Sequence, residues 1–411
     1  MKKILLLAFI LAISSSNIFA QWEPCNNGKP PVCEVFPLIA DSNIIYAGFE
    51  CGIYMTLTNG EYWIPINTKS DAYSFAISGN NIFAGTYSSG ILLSTDKGGI
   101  WVYKNNGLPT SKPPNVRGGV NTILISGNNI FAGTEQGVFI SSDNGDNWIA
   151  KNNGLPPPET GDSILQISSI IQKGSNIFAG TRNGVYMTTD NGVNWNAKNN
   201  GLSNLDIWAL AVKDNNIFVA TDSTIYLSTD NGDSWIPKIS GDSVLWVNTI
   251  FIYNNYIFAG TYNEGVLFST DNGDNWTEKN SGFGEDNAGI YSFAINGNYI
   301  FAADVFEGIF RAKLSDIITD VKETNKNNET IIYPNPASSS VRLKYESPNY
   351  SKLQISIFDM LGNEVFNTSE ECNIGMNEKV IDCQSLETGY YIIRLKQGER
   401  VEAKPFLLIT N

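Results

Sequence analysis

At 411 residues the chain has room for two domains and a large hydrophobic core. Its formal charge of −14, from 27 Lys and Arg against 41 Asp and Glu, argues against nucleic acid and anionic membranes, which both need clustered cations. The complete absence of His excludes His-dependent metal sites and Ser-His-Asp or Cys-His catalysis.

The chain opens with Lys2-Lys3, an apolar run from Ile4 to Ile13, and a small residue, Ala20, before Gln21. Residues 1–20 therefore read as a secretory signal peptide, imperfect only in Ile18 at the minus-three place, and the run is too short to span a bilayer. No Cys follows the cut to take a lipid, and no other stretch is apolar enough to cross a membrane. Five cysteines in an exported chain predict disulfides with one thiol left over. Cys372 and Cys383 share the C-terminal segment and are expected to pair. Cys25, Cys33 and Cys51 compete for a second bridge, and the sequence does not choose between them.

From residue 45 onward the motif I-[FY]-[AV]-[GA] recurs, starting at Ile45, Ile82, Ile130, Ile177, Ile217, Ile257 and Ile300. A period of about 43 residues marks stacked supersecondary units, and seven starts predict seven four-stranded antiparallel blades. Within each unit strand a is apolar, b is the NIFAG run, c is the GVFIS-like run, and d follows a Trp. Between c and d stands an octet, Ser141-x-Asp143-x-Gly145-x-x-Trp148, repeated with Asp96 and Trp101, Asp190 and Trp195, Asp230 and Trp235, and Asp271 and Trp276. A degenerate copy runs from Thr56 to Trp63. The octet suits a tight turn: Asp accepts backbone N–H groups, Gly supplies positive φ, and Trp fills the apolar space alongside.

This octet resembles the Asp-box of BNR-type β-propellers, a group that includes sialidases, sortilin-like receptors and two-propeller xyloglucanases. The resemblance spans about residues 21–314 and implies that the Asp and Trp residues are structural, on the rim away from any ligand. The seventh unit has strands a, b and c but no octet. The missing strand is supplied in register at the start of the mature chain, where Trp22-Glu-Pro-Cys-Asn-Asn-Gly matches Trp148-Ile-Ala-Lys-Asn-Asn-Gly. The N-terminus is thus predicted to form the outer strand of the last blade.

Residues 315–330 are polar and without aromatics, and read as a linker. Six short alternating strands are expected beyond it, at 341–345, 353–358, 364–366, 378–381, 390–396 and 404–409. Their order of motifs, Tyr333-Pro334-Asn335-Pro336, then a run ending at Gly362, then Gly389-Tyr390, then Lys404-Pro405-Phe406, resembles the type A sorting domain of the type IX secretion system. The resemblance covers residues 331–411. It implies an immunoglobulin-like sandwich read by an outer-membrane translocon, in a Bacteroidetes-type bacterium, and hence a secreted or cell-surface protein.

Propeller geometry sends the a–b and c–d turns to one face and the b–c turns and d–a loops to the other. The second face collects what differs between units, so candidate ligand contacts are sought there. They are Tyr73, Tyr87, Glu135, Arg182, Trp208, Asp222, Trp246, Tyr262, Glu264, Tyr291, Asp304 and Glu307, with Glu50, Phe36, Asn121, Ser168 and Asn248 beside them. Aromatic rings next to carboxylates stack on sugar faces and bond hydroxyls. The Pro-rich d–a loops 105–119 and 152–163 either wall a groove or are tolerated insertions. Sialidase chemistry is not expected, because Arg117, Arg182 and Arg311 cannot converge on one carboxylate. DNGDN at 143–147 and 271–275 lacks EF-hand spacing, so no metal and no cofactor is expected. The expectation is a non-catalytic exported module for glycan or protein. The alternative is a glycoside hydrolase using paired carboxylates on the same face.

Overall fold

The computed structural model describes residues 21–109, 119–156, 165–239, 245–284, 288–318, 331–347, 351–359, 363–397 and 400–410. The expected signal peptide, most of the linker, Gly362 and the middles of both long d–a loops lie outside these residues. The chain divides into two compact units, 1–319 and 320–411.

Unit 1 contains seven four-stranded antiparallel sheets, each built from consecutive strands except the last. They are blade 1 (35–67), blade 2 (74–103), blade 3 (120–150), blade 4 (167–197), blade 5 (209–237), blade 6 (247–278) and blade 7 (290–313). Each inner strand packs against the inner strand of the next blade, and blade 7 packs against blade 1, so the sheets form a ring. The second strands, such as Asn129–Thr134 and Tyr256–Thr261, are buried almost throughout because both sheet faces meet a neighbouring blade. The outer strands are mostly two residues long and exposed, which leaves little edge for another chain to pair with.

The ring is closed by the strand Glu23–Pro24, which pairs antiparallel with Gly308–Lys313 of blade 7. Trp22 is fully buried there, its ring stacked on Phe283 at 5.0 Å. Glu23 pairs with Arg311 at 2.7 Å, and Arg311 Nη1 donates to the Asn59 carbonyl of blade 1. The first residues of the expected linker differ from expectation. Leu314–Ile318 form one helical turn that buries Leu314 and Ile317, so the apolar pair continues the propeller core before the polar stretch begins.

The octet turns share one set of bonds. Ser141 Oγ donates to Asp143 Oδ1 at 2.8 Å and accepts Gly145 N–H at 2.9 Å, while Asp143 Oδ1 accepts Asn147 N–H at 2.9 Å. Asn144 and Gly145 are both in the left-handed region, at φ 59° and 88°. These bonds hold the carboxylates of Asp143, Asp190 and Asp230 down to about 2, with Asp96 also lowered. Asp271 is lowered too, against a burial effect of opposite sign.

Each Trp then reaches outward. The indole Nε1 of Trp148 donates to the Lys104 carbonyl of the preceding blade, Trp195 to Lys151, Trp235 to Lys198 and Trp63 to Cys25, at 2.7–2.9 Å. The backbone N–H groups of Trp148, Trp195, Trp235 and Trp63 meet the carbonyls of Asn106, Asn153, Asn200 and Asn27. The first Asn of each Asn-Asn-Gly run is spent inside its own blade, as where Asn152 Oδ1 accepts Val138 N–H at 2.8 Å. Trp101 and Trp276 differ: their indoles turn back to Gly98 and Gly273 of their own turns. The reason is in the preceding blades, where Ile-Pro-Ile-Asn-Thr (64–68) and Ile-Pro-Lys-Ile-Ser (236–240) replace the run that ends in Asn-Asn-Gly.

Unit 2 is a two-sheet sandwich, with strands Ile331–Tyr333, Ser340–Ser347 and Gly375–Asp382 in one sheet and four strands in the other. Val341, Leu343, Ile355, Ile357, Ile393 and Leu408 are at its core. The strands are longer than expected, and this overturns one disulfide. Cys372 ends the strand Glu364–Cys372, and Cys383 lies just past the far end of Gly375–Asp382. An extended strand of that length spans roughly 26 Å, far beyond disulfide reach, and both thiols are free and buried. The bridge in unit 1 joins Cys33 and Cys51, with Cα atoms 6.1 Å apart, and leaves Cys25 free.

Candidate functional site

The antiparallel order of each blade puts the b–c turns and the residues entering strand a at one end of the ring. A β-bulge lies where strand a begins in five blades, between Val35 and Leu38, Val120 and Thr122, Ile167 and Ser169, Val247 and Thr249, and Ile290 and Ser292. A bulge re-aims the residue it contains. Here those residues include Phe36, Asn121, Ser168, Asn248 and Tyr291, and they divide into two kinds.

The polar ones lace the ring. Asn121 Nδ2 donates to the Ile167 carbonyl at 3.2 Å, Asn248 Nδ2 to Ile290 at 3.3 Å, and Ser168 Oγ to Ile207. Each bond joins one blade to the next, so these three side chains are engaged in the frame.

The aromatic ones gather. Phe36 stacks on Tyr73 at 4.5 Å and meets Tyr291 edge-on at 5.6 Å, while Tyr73 stacks on Tyr87 at 5.4 Å. Burial, with the neighbouring charge of Tyr262 and then Glu34, raises the Tyr291 phenol. Tyr262 in turn contacts Trp246 at 5.6 Å and Phe306 at 5.4 Å. The rings therefore form two clusters, one of Tyr87, Tyr73, Phe36 and Tyr291 across blades 2, 1 and 7, and one of Trp246, Tyr262 and Phe306 across blades 6 and 7. Trp208 lies apart from both, 40% exposed ahead of strand a of blade 5.

Carboxylates flank the rings at two places. Burial first, then Glu50, raises Glu34; burial also raises Asp71, with Glu50 adding to it. The Cys33–Cys51 bridge holds Glu34 and Glu50 together, where Glu50 N–H donates to the Glu34 carbonyl at 3.1 Å. On the other side Asp206 is raised by burial, between Arg182, which lowers it, and Asp222, which raises it. Arg182 Nε donates to Gln166 Oε1 at 2.7 Å, and Asp222 Oδ1 accepts from Asn204 at 2.7 Å.

The remaining candidates occupy different settings. Asp304 is buried, its Oδ1 accepting Phe306 N–H at 2.9 Å, and burial raises it. It serves its own turn. Glu264 and Glu307 are exposed, and Glu264 borders a cavity of about 150 Å³ with Asn263, Asn280 and Gly284. Glu135 enters the b–c turn of blade 3, its N–H bonded to the Gly119 carbonyl. Phe306 was not among the expected contacts, although it is 54% exposed. Its signal was present between Asp304 and Glu307, in a turn read only for acids. Among the described residues no group of His, Cys, Asp and Glu is arranged to hold a metal ion. No described helix is long and apolar enough to cross a membrane.

In the sorting region, Asn335 Oδ1 accepts Leu407 N–H at 2.9 Å, tying the Pro334-Asn335-Pro336 turn to the last strand. Gly389 begins the strand Gly389–Gln397, and Tyr390 beside it is 61% exposed.

Residues 331–409 match the secretion system C-terminal sorting domain family, and residues 170–299 match the DUF6242 beta propeller domain. No curated protein matches the chain in sequence. Among solved structures it is similar to the extracellular domain of BT4673 from B. thetaiotaomicron, with TM-score 0.57, 16% identity, and coverage of 79% of this chain and 44% of that one. The chain thus spans less than half the length of that relative. It is also similar to YCF48 from Cyanidioschyzon merolae (TM-score 0.53, 17% identity, 72% and 98% coverage) and to the GH74 enzyme of Niastella koreensis (TM-score 0.54, 14% identity, 95% and 69% coverage). These likenesses concern the fold. The chain carries a β-propeller and a type IX sorting domain, which directs it to the cell surface or the medium.

Proposed function

We propose that the mature chain is a non-catalytic extracellular binding module that takes a glycan on the face of its b–c turns and d–a loops. Residues 1–20 act as the leader, 21–314 as the propeller and 331–411 as the delivery domain. The observation that supports this most is the pair of aromatic clusters, Tyr87 to Tyr291 and Trp246 to Phe306, on the variable end of a rigid ring. Similarly folded proteins include YCF48 bound to D1 peptide and the GH74 enzyme, so fold alone does not choose between binding and catalysis. A glycan array probed with the purified mature chain tests the reading. Binding to at least one glycan supports it, and binding to none counts against it.

A glycoside hydrolase is the second reading, favoured by the raised carboxyls of Glu34 and Asp71 beside Glu50. Release of reducing ends that stops in Asp71→Asn would establish it.

A further inference from the structure

Resting on the reading that this face binds a glycan, we infer that its principal subsite is the platform of Trp246, Tyr262 and Phe306, and that the ligand is a neutral oligosaccharide of pyranose rings.

The backbone at Trp246 points there first. Its φ is 44°, in the left-handed region that bulky residues avoid, and none of the other eight tryptophans has a positive φ. The conformation is held from both sides. Trp246 N–H donates to the Asp222 carbonyl of blade 5 at 2.7 Å, and its own carbonyl accepts Tyr262 N–H of blade 6 at 2.9 Å. The octet tryptophans are largely buried; this one is 50% exposed. A frame that forces an indole into an unfavourable backbone and then leaves it in water is arranged for something outside the chain.

The neighbouring rings give the shape. Tyr262 touches Trp246 on one side and Phe306 on the other, with centroids 5.6 and 5.4 Å apart. At Gly289 a Cβ would come within 2.7 Å of Phe306 Cε2, so glycine lets that ring lie against blade 7. The planes of Trp246 and Tyr262 are inclined by 37°, and Phe306 stands edge-on to Tyr262 at 68°, so the rings form a bent platform whose open face is the half-exposed Trp246 indole. A platform suits the flat C–H face of a pyranose.

Charge then narrows the class. The b–c turns carry Glu50, Glu135, Asp222, Glu264 and Glu307 against Arg182, whose Nε is bonded to Gln166. The d–a loops add Lys29, its Nζ beside Gly308, and Lys69, but also Glu34, Asp71 and Asp206, so the face stays acidic. Glu264 stands two residues after Tyr262, and Glu307 directly follows Phe306. Such a rim repels uronates and sulfates and accepts hydrogen bonds from hydroxyl groups.

The test titrates the purified mature chain calorimetrically with neutral β-glucan, mannan and xylan oligosaccharides, and with matched uronate and sulfated ones. The variants are Trp246→Gly and, as an exposed aromatic on an outer strand, Tyr103→Ala. The expected result is binding of a neutral oligosaccharide, weakened at least tenfold in Trp246→Gly and unchanged in Tyr103→Ala. The melting temperature of Trp246→Gly should stay level or rise, because glycine accepts the left-handed backbone. Neutral binding that survives Trp246→Gly would overturn the subsite and leave the wider glycan reading standing. Binding confined to acidic sugars would overturn the ligand class, and binding of no sugar at all would remove the wider reading and this inference together.

Discussion

The indole Nε1 of Trp22 donates to the carbonyl of Lys279 at 2.7 Å, across 257 residues of chain. The backbone N–H of Trp22 meets the Ser281 carbonyl at 2.9 Å, and the Cys25 carbonyl receives Trp63 in turn. The N-terminal strand is therefore both a donor and an acceptor in the series of blade-to-blade bonds.

Trp22→Ala should cost about 3–5 kcal/mol, the usual range for emptying a fully buried Trp site. Trp101→Ala should cost less, because that indole is only half buried and bonds within its own turn. Urea unfolding followed by tryptophan fluorescence measures both. Equal losses would show that crossing the blade boundary adds nothing.

The octet aspartates set an acid limit. The carboxyls of Asp143, Asp190 and Asp230 lie at about 2 in the folded chain, below the ordinary 3.8, because serine, asparagine and backbone donors favour the charged form. The folded state thus binds fewer protons than the unfolded one. Its stabilisation from these groups is complete above about pH 4 and disappears as the pH falls through about 2. Melting temperatures recorded from pH 7 to pH 2 should drop mainly in that window. A triple Asp→Asn variant should melt lower at pH 7 and show a shallower fall.

Gly154 and Gly127 both have positive φ, at 88° and 59°, yet only one is crowded. A Cβ on Gly154 would come within 2.1 Å of the Trp195 carbonyl oxygen, whereas nothing lies within 4 Å of one on Gly127. Gly127→Ala should cost about 1 kcal/mol from backbone conformation alone. Gly154→Ala should cost clearly more, since the boundary between blades 3 and 4 must open to admit the methyl group. Thermal melts of the two variants decide this.

Intact mass after alkylation of the unfolded, unreduced mature chain should show one disulfide and three modified cysteines. Without denaturant Cys25, Cys372 and Cys383 should resist the reagent, because all three are buried and burial raises the Cys25 thiol to about 12. Reduction of Cys33–Cys51, which closes a loop with a sequence separation of 18, should lower stability by about 3 kcal/mol.

Local chemistry was what the sequence displayed best. The turn from Ser141 to Trp148 repeats because hydroxyl, carboxylate, glycine and indole each have a task within eight residues, and the same logic exposed the borrowed strand at Trp22. Long-range geometry was less legible. Asn121, Ser168 and Asn248 stand among the candidate contacts in the sequence, yet a bulge at each position turns their side chains onto the next blade. The pairing of Cys372 with Cys383 fails because the strand between them, expected only at 378–381, runs from Gly375 to Asp382 and holds the two thiols at opposite ends. Phe306 was passed over because its turn was read for acids, while its place beside Tyr262 depends on two blades meeting.

A circle sewn shut by Glu23–Pro24 leaves one blade to be finished last. Blades 1 to 6 are each made of consecutive strands and can form as soon as they emerge. Blade 7 stays one strand short until residues 308–313 have been made and the front of the chain has found them. That encounter closes the longest loop in the propeller, so it should be the slow event in folding. Until it happens Trp22 and Phe310 are uncovered, and the newly exported chain is then at its most vulnerable to proteases and to other copies of itself.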